Sequence, residues 1–179
     1  RFSVTPQVTT RIDEFLASVF GVGAGRGALR VTTYAFPGGS PTALQARVIV
    51  RSANDADGSD GATVSGIAQA LWTSASKQIL SIPNGPADQA TLAVTNLDAL
   101  RGTVRFDLSD AVGGYIGSGV FELGASTARW RSLADLFRNL SQRPAPFRAT
   151  FFPSTIRFTA AALVTDPSTT DISVLTSAP

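Results

Sequence analysis

The sequence predicts an all-β fold: an antiparallel β-sandwich, one large or two small, with two short helices. Three observations carry that expectation. Apolar and polar residues alternate with period two over most segments. Glycine, Asn, Asp and Pro clusters separate these runs at turn-like intervals. The chain is 44% hydrophobic and 16% charged, enough to build a core and far from the balance of a disordered chain.

From the N-terminus, Thr10 to Phe20 places Ile12, Phe15, Leu16, Val19 and Phe20 at helical spacing, and Gly21 and Gly23 follow as a stop. Leu44 to Ser52 alternates Val48 and Val50 against Arg47, Ile49 and Arg51. Thr91 to Asn96 alternates through Leu92 and Val94, and Gly102 to Ser109 through Val104, Phe106 and Leu108. Asp110 to Gly114 reads as a hairpin turn. The strand Tyr115 to Leu123 changes phase near Gly117 and Gly119, which predicts a bulge. Ala128 to Leu140 spaces Trp130, Leu133, Leu136, Phe137 and Leu140 as a second helix, with Trp130 in its core-facing stripe. Thr155 to Thr165 puts Ile156, Phe158, Ala160, Ala162 and Val164 on one face. A pattern of strand, turn, helix, strand, turn, strand occurs twice, with Leu29 matching Phe147.

Several function classes lose support. There is no Cys and no His, which removes thiolate ligands, the commonest general base and the commonest metal-binding ring. The lone Lys77 has no recognisable nucleophile beside it in sequence, so a non-enzyme is expected. The basic residues are fourteen Arg and one Lys, scattered, with a net charge of +2, so no nucleic-acid patch is expected. No apolar run is long enough for a membrane span. The chain opens on Arg1 and lacks Met, from which a secreted protein with its signal peptide removed is expected.

The motifs Leu92-Ala93-Val94-Thr95-Asn96, Val104 to Asp110 and Leu133-Ala134-Asp135-Leu136-Phe137 occur in order, followed by Ala160 to Ile172. In that order they resemble the repeated Ig-like β-sandwich modules of large secreted bacterial surface proteins. The resemblance covers Thr73 to Ser177 well and Arg11 to Val64 faintly. It implies a secreted, non-enzymatic Ig-like sandwich and brings no catalytic or binding residues with it. The expected division is a partial sandwich unit over 1–71 and a complete one over 72–179, able to merge into one domain.

A partial unit exposes an apolar face and an unpaired strand edge. One solution is a strand supplied by another copy, which builds a homopolymer such as a filament or surface fibre. Arg1 to Thr10 is the candidate donor, with Phe2, Val4 and Val8 alternating along it as the polymer interface. The other reading is a monomeric secreted adhesion or carbohydrate-binding module, with Trp72 and Tyr34 as stacking platforms for a glycan. Asp55, Asp57 and Asp60 crowd a glycine-bearing loop that suits a Ca²⁺ ion. The loop lacks the downstream bidentate Glu, and a plain polar turn is the preferred reading of it. Asp166-Pro167-Ser168 reads as a β-turn, and Asp13-Glu14, the one adjacent acidic pair, as a solvated helix start.

Overall fold

A computed structural model describes residues 11–13, 15–23, 29–31, 47–51, 61–65, 72–85, 88–168 and 172–178. The chain forms two compact units, Arg1–Gln45 and Ala46–Pro179. In the first, helix α1 spans Phe15–Phe20, shorter than the expected run from Thr10. Gly21, at φ +67°, ends it in the left-handed conformation that glycine adopts without strain. Phe15 and Phe20 meet edge to face, with centroids 5.3 Å apart.

The second unit opens with a two-stranded antiparallel ladder, β1 (Arg47–Arg51) against β2 (Gly61–Ser65). Then come β3 (Lys77–Ile82), β4 (Gln89–Asn96), β5 (Gly102–Ser109) and β6 (Tyr115–Leu123). These are followed by β7 (Ala128–Ser132), α2 (Leu133–Leu136), β8 (Phe147–Phe151), β9 (Phe158–Thr165) and β10 (Ile172–Thr176). The order β10-β9-β4-β7 makes one four-stranded sheet and β3-β8-β5-β6 the other. Every named pairing is antiparallel. The two sheets pack face to face as a β-sandwich, and the alternating residues named in the sequence are its core. Leu92, Val94, Val104, Phe106, Leu108, Ile156, Phe158, Ala160, Ala162 and Val164 are all buried.

The sheet β3-β8-β5-β6 brings most of the large side chains. Phe106 sits at its centre, with Phe121 at 5.6 Å, Phe151 at 5.5 Å and Phe137 at 6.1 Å between ring centroids. The glycines of β6 make room for these rings. A Cβ on Gly119 would press into the Phe106 ring, and one on Gly117 would lie 2.7 Å from Phe137. Both glycines stay in register with β5; the register shift falls beside them, where Ile116 is the extra residue between Leu108↔Gly117 and Ser109↔Tyr115.

The expected helix over Ala128–Leu140 is replaced by three pieces: strand β7, the single turn α2, and a 3-10 turn at Leu140–Gln142. The Ser132 side chain accepts from the Ala134 N–H at the start of α2. Trp130 is therefore not on a core-facing helical stripe. Opposite Ala93, it points to the outer side of its sheet and is half-buried. The apolar spacing from 130 to 140 satisfies helical periodicity, yet β4 offers an edge whose backbone groups need partners, and pairing with it outweighs local preference.

Two polar side chains fix the loops. Buried Asn96 donates through Nδ2 to the Leu100 and Gly124 carbonyls (2.6 and 2.7 Å) and accepts from the Asp98 N–H (2.9 Å). Asp110 accepts from the Val112 and Gly114 N–H groups (3.1 and 2.7 Å), closing the β5–β6 hairpin that the sequence anticipates.

Candidate sheet-edge docking site

A sandwich has two sides where its sheets end, and here they differ. On one side lie β3 and β10. After β10 the chain crosses to the other sheet, where Ala178 and Gln78 exchange two main-chain hydrogen bonds of 2.9 Å. Strand β3 is irregular as well, with Ser81 at φ +58° and a register shift between Ile79 and Ile82. Lys77 points inward from it, 7% exposed, with its ammonium 5.9 Å from the Phe158 ring centre. Desolvation lowers the Lys77 pKa from its ordinary value. An inward charge, a bulge and a covering segment are the devices that keep a strand edge from pairing with another chain.

The opposite side ends on β6 and β7, joined by the short turn through Gly124–Thr127. Among the described residues nothing pairs with the outer edge of nine-residue β6. Beside its start is an open cleft of about 290 Å³, lined by Ile116, Leu136, Phe137, Arg138, Asn139 and Arg143. Strand β7 carries Arg129 and Arg131, which lie opposite the inward residues Val94 and Leu92. Arg129, Arg131, Arg138 and Arg143 are all exposed, and none forms an ion pair with a described residue. The acids on the neighbouring elements are Asp135 on α2 and Glu122 on β6. This side therefore combines unpaired backbone groups, a cleft of mixed apolar and polar lining, and positive charge.

Of the residues singled out in the sequence, Trp72 falls in the described part. It is half-buried, and the Arg157 guanidinium lies 5.7 Å from its ring centre. Arg157 is itself held by Asp98, through its backbone N–H to Oδ2 and its Nε to Oδ1, both 2.7 Å. Those bonds hold the Asp98 carboxyl below the ordinary carboxylate range. An arginine thus lies over the ring on which a sugar was expected to stack. Phe2, Val4, Val8, Tyr34, Asp55, Asp57 and Asp60 lie outside the described residues, and so does the proposed calcium loop. Among the described residues there is no cluster of acidic side chains able to hold a metal ion. Nor, among them, is any helix long and apolar enough to cross a membrane. Asp166 accepts from the Ser168 N–H and hydroxyl (2.8 and 2.6 Å), as a turn requires.

Arg138, Arg143 and Ile116 were not singled out by sequence reasoning. A 3-10 turn and a bulge bring them together, and neither leaves a periodic signal.

No protein-family model matches the chain, and no curated protein matches it. A solved structure similar in part is FlgD from Xanthomonas campestris, a protein of flagellar hook capping. It is 16% identical over 59% of this chain and 68% of that chain, with a TM-score of 0.27. A likeness this slight carries no argument about fold or function.

Proposed function

We propose that the chain is a non-catalytic structural module of an extracellular assembly, joined to further copies of itself by β-strand addition. In this reading it belongs with the Ig-like sandwich modules of secreted bacterial surface proteins. The single observation that carries it is the contrast between the two sides of the sandwich. One is closed by main-chain bonds and an inward lysine; the other ends on the long strand β6. An unpaired edge recruits an extended segment through main-chain hydrogen bonds, with alternate side chains giving specificity. Arg1 to Thr10, with Phe2, Val4 and Val8 alternating, has the sequence of such a segment.

The test is negative-stain microscopy with size-exclusion chromatography of the full chain and of a form lacking Arg1 to Thr10. Large assemblies or filaments from the full chain, and a folded monomer after deletion, are expected. Circular dichroism confirms folding, and adding back the ten-residue peptide to the truncated form shows whether it binds. A monomeric full chain at high concentration counts against the reading. It would turn attention to glycan binding at Trp130, half-buried on an outer sheet face whose described strand residues are uncharged.

A further inference from the structure

We propose that β6 is the acceptor edge and that the incoming segment of a second copy runs antiparallel to it. Asp13 and Glu14 of that copy then reach Arg138 and Arg143. This assignment rests on the strand-addition reading, and the two can fail separately.

Length and charge set the direction. Strand β6 has nine residues, Tyr115–Leu123, and the run from Phe2 to Thr10 matches it residue for residue. In an antiparallel arrangement Phe2 lies beside Leu123 and Thr10 beside Tyr115. The chain then continues past the start of β6 toward Asp13-Glu14, the one adjacent acidic pair in the sequence. The start of β6 is where Arg138 and Arg143 frame the cleft beside Ile116. The stretch Arg11 to Glu14 carries one positive and two negative charges and is net negative, whereas a parallel arrangement would bring Arg1 alone to the same arginines, and like charges placed together disfavour that register. Asp13 now pairs with Arg11 at 2.6 Å, with both side chains largely exposed, and such a surface pair is readily exchanged.

The alternation of the segment fits an edge. Phe2, Val4, Pro6 and Val8 share one face and Ser3, Thr5, Gln7 and Thr9 the other. Proline at the sixth position has no N–H to donate, which an outermost strand tolerates. It also stops a further strand from adding to the donor. The other edges are less suited. Strand β7 has five residues, with Arg129 and Arg131 toward its inner face; β3 is bridged by Ala178 and carries Lys77.

The experiment is a charge swap read by fluorescence anisotropy. A labelled peptide of residues 1–14 is titrated with the full chain, below the concentration at which it assembles. The wild-type peptide is expected to bind. Its affinity should fall at least tenfold on the exposed-site variant Arg138→Glu/Arg143→Glu. A peptide carrying Asp13→Arg/Glu14→Arg should bind the wild-type chain at least tenfold more weakly and regain affinity on the reversed chain. Val120→Lys on β6 should weaken both matched pairs. Equal melting temperatures show that the variants fold. Binding that ignores both reversals, or a swap without rescue, overturns the antiparallel docking while leaving strand addition standing. A wild-type peptide that does not bind overturns both.

Discussion

The two sheets of the sandwich solve the same packing problem with opposite materials. The β3-β8-β5-β6 sheet puts Phe106, Phe121, Phe147 and Phe151 inward and Arg105, Asp107, Arg148 and Glu122 outward. The β10-β9-β4-β7 sheet puts Ala90, Leu92, Val94, Ala160, Ala162 and Val164 inward, with Phe158 its one ring. Its outer face carries Thr91, Ala93, Thr95, Trp130, Thr159, Ala161, Leu163 and Val174, and among its described strand residues none is charged. The two layers meet ring to ring at one point, where Phe151 and Phe158 lie 6.2 Å apart between centroids. Most of the bulk of the core therefore comes from the aromatic sheet, against which the other packs mainly small aliphatic side chains.

The largest expected effect is at the aromatic centre. Phe106→Ala should cost about 3–5 kcal/mol in urea unfolding, because three neighbouring rings lose a partner at once. Ala162→Gly on the facing sheet should cost clearly less; an equal loss would dissolve the contrast. Next comes Asn96→Ala, which strands two carbonyls and an N–H at the loops between the sheets. About 2–3 kcal/mol is expected, read from the same denaturant midpoint. Gly119→Ala should cost about 1–3 kcal/mol by pressing a methyl group into the Phe106 ring. If Phe106→Leu in that background recovers part of the loss, the clash is with the ring.

Acid should act through Asp98. Its carboxyl titrates below the unfolded value of about 3.9, so its contribution is present above that value and lost as pH falls through the folded one. Thermal melts of the wild type should therefore lose stability below about pH 4. Asp98→Asn should start lower at neutral pH and fall less; parallel curves for the two would remove Asp98 from the account. The smallest effect belongs to the charged outer face. Arg105→Ala breaks a 3.6 Å pair with Asp107 and a contact with Phe152, and should shift stability by no more than about 0.5 kcal/mol.

The strands with uninterrupted alternation were legible in the sequence. Those of β4, β5 and β9 bury every residue that the pattern placed inside, because each strand sits mid-sheet with one wet face. The Asp110 turn was legible for a local reason, since its carboxylate bonds within five residues. Strand β7 was not. Trp130, Leu133, Leu136, Phe137 and Leu140 fit a helical stripe, and what separates them is a long-range pairing with β4. The alternation of Arg129, Trp130 and Arg131 was the available signal, and it spans too few residues to outvote the longer pattern. Strand β3 was not singled out, because its inward residues are Lys77, Ile79 and Ile82, and a charge and a register shift break the two-residue alternation. The open side was least legible. Its arginines look scattered along the chain, and Arg138 and Arg143 share a cleft only because a 3-10 turn lies beside the start of β6.

The crossing at Ala178 has a mechanical consequence. Tension applied to the chain beyond that residue falls first on the two bonds it shares with Gln78. Once they part, β10 can peel from β9 rung by rung, a low-force route compared with shearing a whole strand. The hypothesis is that this end of the module yields early and elastically under load. In an optical trap, a small extension below the main unfolding force should appear when pulling from the C-terminal end, and its absence would mean that the crossing bears load together with the sheet.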